Sequence, residues 1–208
     1  MPRFSRAELE LFRDAEVPDL LPDREGSHLR LLFVGINPGL WTAATQTHFA
    51  HPVNRFYPAL LRAGIITEPV DPSAGMTDED RDRLRARGIG ITNLVRRATA
   101  RADELGAAEL REGGQRLRAL VAERAPRVVA VAGITAYRSA FGDRRAVLGR
   151  QPEPFEGAEL WVVPNPSGLN AHETVDSLAV AYAEPARAAG ILPAEPSEAP
   201  DGQLRAAP

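Results

Sequence analysis

Residues 31–40, LLFVGINPGL, constrain the fold of this chain more than any other stretch. The first five are apolar or Gly without alternation, the pattern of a strand buried on both faces in a parallel sheet. The strand must then stop, because Pro38 donates no hydrogen bond and Gly35 and Gly39 permit the tight backbone of a sharp exit. One polar side chain, Asn37, is held in that turn. Ligands of open α/β sheets sit at the carboxyl ends of the strands, which makes Asn37 a binding or catalytic candidate. The plainer alternative is that Asn37 only tolerates a left-handed turn.

Similar strand patterns recur at residues 28–36, 89–93, 128–132 and 159–163, separated by helical spacing. Residues 5–12 read as a short amphipathic helix, and Asn54 caps a helix that Gly64 ends. Thr77 caps another that stops at Gly88. Leu110, Leu117, Leu120 and Val121 mark one face of a helix ended by Pro126. Thr135 caps a short helix ended by Gly142, and Asn170 with Glu173 reads as a capping box for a helix through Tyr182. Residues 40–53 read as a long loop carrying Trp41, Phe49 and His51. Strands alternating with helices predict right-handed crossovers and a three-layer α/β/α sandwich around a four-stranded, mainly parallel sheet. The expected organisation is an arm over residues 1–27, one domain over 28–188, and a disordered tail over 189–208 with too little apolar surface to offset its ordering entropy.

What the sequence lacks narrows the chemistry. It has no Cys, which removes thiolate nucleophiles, disulfides and cysteine-ligated metals. All 25 basic side chains are Arg, so no Lys can form a Schiff base or serve a P-loop. Genomic composition accounts for that bias. No apolar run is long enough to span a membrane and no secretory signal is legible, so a cytoplasmic monomer is expected. A net charge of -3 leaves any nucleic-acid contact to local clusters such as Arg96, Arg97 and Arg101, which a solvated surface explains equally well. No two His residues have metal-ligand spacing on one helix, so neither metal nor cofactor is expected. His48, His51 and His172 read as polar contacts.

Three motifs then occur in order: GINPG at residues 35–39, FAHPVNRF at 49–56 and NPSGL at 165–169. Together they make the chain, over residues 31–182, resemble the mismatch-specific uracil-DNA glycosylases, the branch of the uracil-DNA glycosylase superfamily that includes thymine-DNA glycosylase. The resemblance implies a monofunctional enzyme of base excision repair that flips uracil out of duplex DNA, preferring G:U mismatches, and hydrolyses its N-glycosidic bond. It implies that Asn37 orients the attacking water, that Phe49 stacks on the flipped base, and that backbone N–H groups near Ile36 and Phe49 bond its carbonyl oxygens. Thr42 would border the pocket at C5 of the base, and Asn165 and Ser167 would shape the pocket and hold a phosphate. Leu169, projected by Gly168, would fill the gap left by the base, with Asn170 and His172 beside it. Relatives carry an Arg soon after the wedge Leu, where this chain reads Asn170, Ala171, His172. The most reactive uracil glycosylases have a carboxylate at the position of Asn37. Asp103 is a stand-in candidate for it, against the plainer reading as a surface Asp or helix cap.

Two other classes compete. A non-catalytic nucleotide-binding α/β module would want a G-x-G-x-x-G turn or a P-loop Lys, and an esterase would want a G-x-S-x-G elbow; the sequence has none of these.

Overall fold

Successive residues along each central strand point to opposite faces of the sheet, and both faces are covered, which is why the strands read as unbroken apolar runs. A computed structural model describes residues 4–23 and 28–194. Strands β1 (Leu31–Gly35), β2 (Ile89–Asn93), β3 (Val128–Ala132), β4 (Gly149–Arg150) and β5 (Glu159–Val163) form one sheet in the order β2-β1-β3-β5-β4. Leu31, Phe33, Ile91, Ala130 and Trp161 pack one face beneath α3 (Phe56–Arg62), α4 (Asp78–Ala86) and α7 (Val175–Ala188). Leu32, Val34, Val129, Val131 and Val162 pack the other beneath α5 (Ala107–Arg124) and α6 (Ile134–Phe141). The three-layer α/β/α sandwich therefore holds.

The sheet has five strands rather than the expected four. β4 is two residues long, runs antiparallel to β5, and is too short to show any periodicity. The other pairings are parallel. From β1 the chain goes to β2 on one side and then to β3 on the other, so the crevice at the carboxyl ends of β1 and β3 is a topological switch point, where doubly wound sheets bind ligands.

Other expectations need correction. β1 is shorter than residues 28–36. Residues expected as loop after Asn37 begin with a helix, α2 (Leu40–Thr45), for which Gly39 is the N-cap. Pro38 and Gly39 read as breakers, yet both are at home just before a helix start. α6 starts at Ile134 behind Gly133, not at a Thr135 cap. α7 is capped by Thr174, whose hydroxyl accepts from the Ser177 N–H while the Ser177 hydroxyl accepts from the Thr174 N–H, and not by Asn170 with Glu173. It runs on to Ala188 with Pro185 in its last turns. Ala189 is fully buried and Ile191 and Leu192 pack on the core, where the sequence suggested a tail had already begun. The remainder of that expectation, residues 195–208, lies outside the described residues. The arm is tied down as well: α1 (Arg6–Glu10) leads into Val17, which packs with Leu40, Ala43 and Ala98, and Leu20 bridges to Ile91 at the outer edge of β2.

α5 approaches closely enough that a Cβ at Gly113 would collide with the Leu94 carbonyl, just beyond the end of β2. In an open helix Gly→Ala is favourable by up to about 1 kcal/mol. Here the colliding group is backbone, so Gly113→Ala should instead cost about 1–3 kcal/mol. Urea unfolding measures this as a lower midpoint, and a raised midpoint would contradict the packing described.

Candidate functional site

The strand ends converge at the switch point. Gly133 follows β3 with φ 108°, and a Cβ there would lie 3.4 Å from Ile36 Cδ1 and 3.8 Å from the Asn165 Cβ. The exits of β1, β3 and β5 are thus neighbours, and the first and third motifs face one another across Gly133.

Asn37 is half-buried, and its amide orientation is fixed by acceptors. Nδ2 donates to the Pro38 carbonyl at 3.0 Å, the Arg97 carbonyl at 3.1 Å and Thr99 Oγ1 at 2.8 Å. Thr99 Oγ1 donates its own proton to the Arg101 carbonyl at 2.8 Å, so toward Asn37 it is an acceptor. All of these groups require the NH2 end, which leaves Oδ1 as the end of the amide with no partner among the described residues. Asn37 thus presents a fixed acceptor.

The Phe49 ring is half-buried and stacks on Phe56, centroids 4.0 Å apart. Phe49 has φ 56°, a left-handed conformation that costs energy in a bulky residue and that the surrounding turn imposes. That turn is pinned by Thr42, whose buried hydroxyl accepts from the Ala50 N–H at 3.3 Å. The backbone N–H groups of Ile36 and Phe49 donate to no group among the described residues.

Asn93 was missed by sequence reasoning. Its Oδ1 occupies the space that a Cβ on Gly35 would take, and the tip of the Phe49 ring is 3.2 Å from that same point. Asn93 Nδ2 donates to His48 Nδ1 at 3.1 Å, and His48 Nε2 meets the Pro18 carbonyl at 3.0 Å. Burial pushes the His48 imidazole below its ordinary pKa, against the raising effects of the Pro18 carbonyl and Asp19. The signal that could have found Asn93 is the one used for Asn37, a lone amide at the carboxyl end of a buried strand. Behind His48, on the Pro18 side, a cavity of about 200 Å³ is bordered by Asp19, Tyr57 and Arg81; neither Asn37 nor Phe49 lines it.

The loop after β5 is knitted by its own polar groups and by the second motif. Asn165 Oδ1 accepts from the Ser167 N–H, Asn170 Nδ2 donates to the Asn165 carbonyl, and Asn170 Oδ1 accepts from the His172 N–H. Arg55 donates its N–H to the Pro166 carbonyl and its guanidinium to the carbonyls of Ser167 and Asn170, both at 3.1 Å. A Cβ on Gly168 would run into Val53. On this fixed base Leu169 stands 88% exposed, beyond what any packing role explains. His172 is exposed nearby.

The Arg cluster divides. Arg97 makes a two-pronged contact with Glu109, at 2.6 and 3.0 Å, and a 3.0 Å contact with Asp14. It is therefore a structural clamp between the arm and α5 rather than a free phosphate ligand. Arg96 is exposed, with Asp19 at 3.7 Å. Arg101 is exposed and pairs with Asp103 at 2.5 Å; of the two readings of Asp103 this matches the plainer one, since its carboxylate is on the surface, engaged by Arg101 and not hydrogen-bonded to Asn37. Among the described residues no group of three His, Asp or Glu side chains is placed to hold a metal ion.

The Arg97 contact, with help from the Gly106 N–H, holds the Glu109 carboxyl down to about 2. A depressed carboxylate pKa stabilises the fold above the ordinary value of 4.5, and that contribution is lost as pH falls toward about 2. Both side chains are about one-third exposed, so solvent screening limits the effect to about 1 kcal/mol. Arg97→Ala should lower the urea midpoint at pH 7, with the gap to wild type closing below about pH 4.5. A variant of unchanged stability with weakened duplex binding would instead make Arg97 a phosphate ligand.

The family model described as the Uracil DNA glycosylase superfamily matches residues 22–184, a span that contains the exits of β1, β2, β3 and β5, the Phe49 turn and the Leu169 loop. With most of its length covered and its strand ends arranged around one crevice, the chain belongs to the uracil DNA glycosylase superfamily.

Proposed function

We propose that the protein is a monofunctional DNA glycosylase that removes uracil from duplex DNA, preferentially opposite guanine, and leaves an abasic site. Superfamily membership supports DNA as partner and hydrolysis of an N-glycosyl bond as chemistry. The observation that carries the finer reading is the Asn37 Oδ1, left without a partner among the described residues while three acceptors hold its Nδ2.

A base inside the duplex cannot present its glycosidic carbon, so the nucleotide must be everted. Its ring would lie on Phe49, with O2 within reach of the Ile36 and Phe49 N–H groups and the N3–O4 edge toward Asn93. The C1′–N1 bond then breaks with both electrons going to the base, which leaves as an anion steadied by those donors. Asn37 Oδ1 accepts a hydrogen bond from a water aimed at C1′. An amide is a poor base, so the water adds to an already developed sugar cation. Its proton leaves to solvent, and the uracil anion takes one up. Without Lys no imine to the sugar forms, and the strand stays intact.

Leu169 fits a wedge that occupies the vacated stack, since its tip is exposed and its base is rigid. Eversion costs least where pairing is already poor, which gives a physical reason for preferring a G:U mismatch. Arg96, Arg101, Ser167 and His172 lie on surfaces suited to backbone contacts.

Incubation with a labelled G:U duplex should give strand cleavage only after alkali treatment. Asn37→Ala should lower the single-turnover rate by roughly 10²–10³ while duplex affinity changes little. Leu169→Ala should slow excision from duplex more than from single-stranded DNA. Cleavage without alkali, or full activity in Asn37→Ala, would overturn the reading.

A further inference from the structure

We infer that the arm, through residues 14–20, is a positioning element for the reaction: its backbone anchors the two peptide units that hold Asn37, so the rate of excision depends on a segment at the outer edge of the sheet. The inference rests on the glycosylase reading above and adds to it the part of the chain that keeps the Asn37 amide in place. The arm forms an antiparallel edge along β2 and the segment beyond it. Leu20 and Ile91 exchange both backbone hydrogen bonds, at 2.9 and 2.7 Å, and Glu16 bridges to Arg97. Farther along, the Ala98 N–H donates to the Ala15 carbonyl and the Asp14 N–H donates to the Ala98 carbonyl, both at 2.9 Å.

In extended chain the N–H and C=O of one residue point to one side and those of its neighbours to the other. Ala98 faces the arm, so the Arg97 carbonyl and the Thr99 N–H face Asn37. That carbonyl accepts from Asn37 Nδ2 at 3.1 Å, and that N–H donates at 3.1 Å to the Pro38 carbonyl, itself an acceptor for Nδ2. A peptide unit is planar and rigid, with its C=O and N–H pointing opposite ways. The unit joining Arg97 to Ala98 therefore runs from the Ala15 carbonyl to the Asn37 amide, and the unit joining Ala98 to Thr99 runs from the Asp14 N–H to the Pro38 carbonyl. Residues 94–101 form no helix or strand, and the arm supplies both backbone partners of Ala98. Ala98 is fully buried and packs with Val17, so water does not compete for those partners while the arm is seated. Asp14 sets the turn into this segment: its φ is 62°, and its carboxylate reaches Arg97 at 3.0 Å. Asp tolerates a left-handed turn, whereas a β-branched residue does not.

Two variants at Asp14 test this. The β-branch of Asp14→Val is incompatible with φ 62° and should unseat the arm, while Asp14→Gly adopts that conformation freely and keeps the N–H. Asp14→Val should slow single-turnover excision of uracil from a G:U duplex roughly tenfold at saturating enzyme, with duplex affinity little changed. Asp14→Gly should recover most of that loss, and in an Asn37→Ala background Asp14→Val should slow excision no further. Side-chain amide ¹H–¹⁵N spectra give a readout that needs no activity. Asn37 should show two well-separated, slowly exchanging protons in the wild type, and in Asp14→Val they should move to the positions of a solvent-exposed amide. An unaltered Asn37 signal or an undiminished rate in a folded Asp14→Val overturns the inference, as does an equal loss in the Asn37→Ala background. If the wild-type protein excises no uracil, the glycosylase reading falls and takes the positioning role with it, whereas failure of the variant effects alone strikes only the role of the arm. Should Asp14→Val fail to fold, Val17→Ala, which loosens the arm where it packs on Ala98, takes its place under the same expectations.

Discussion

The candidate site depends on the frame around the Asn37 amide. Three acceptors take its NH2 end, two of them backbone carbonyls and the third a Thr99 hydroxyl that spends its own proton on the Arg101 carbonyl. An amide free to turn would offer a donor or an acceptor with similar ease. One tied in this way offers only an acceptor, at a fixed point beside the switch crevice. The tie crosses the fold, because residues 97–101 follow β2 while Asn37 follows β1, and the Gly39–Thr99 bridge holds the two exits together. Packing of the sheet therefore sets the direction in which a single oxygen points.

A second constraint joins the remaining parts. Arg55, from the turn that follows Phe49, grips three carbonyls of the loop that carries Leu169, and Gly168 lies directly against Val53. The turn that presents the Phe49 ring and the loop that presents Leu169 are thus one unit. Base stacking and wedge insertion are expected to be coupled through it, since neither segment shifts without breaking buried or partly buried hydrogen bonds. The missing Arg after Leu169, noted from sequence, has a structural counterpart: the Asn170 side chain closes the loop on the Asn165 carbonyl and the His172 N–H.

Much of this was legible in the sequence because the central strands are buried on both faces. Such strands leave unbroken apolar runs, and β2, β3 and β5 lie where those runs predict. The helix starts were harder. Gly39 and Gly133 act as N-caps without any side-chain signal, and Asn170 mimics a cap while serving a loop. β4 was unreadable at two residues. Within the site, Asn37 stood out as a lone amide at a strand end and Phe49 as an aromatic ring in an expected loop, whereas Leu169 was picked out only by the resemblance of its motif. Asn93 carries the same strand-end signal as Asn37 but lies in none of the three motifs, and its partners Gly35 and His48 lie far from it in the chain. For Arg97 and Asp103 two readings stayed open, because charge density in sequence says nothing about whether Glu109, Asp14 or Arg101 already holds the group.

The most direct test of the central claim is a double-mutant cycle on Asn37 and Thr99, read as the single-turnover rate of uracil excision from a G:U duplex. Thr99→Val keeps the shape of the buried side chain and removes the hydroxyl that orients the Asn37 amide. Thr99→Val should slow excision roughly tenfold when Asn37 is present and not at all in Asn37→Ala, because the hydroxyl acts only through the amide. An equal loss in both backgrounds would show that Thr99 acts independently, and would contradict the claim that its contact with Asn37 sets the catalytic geometry.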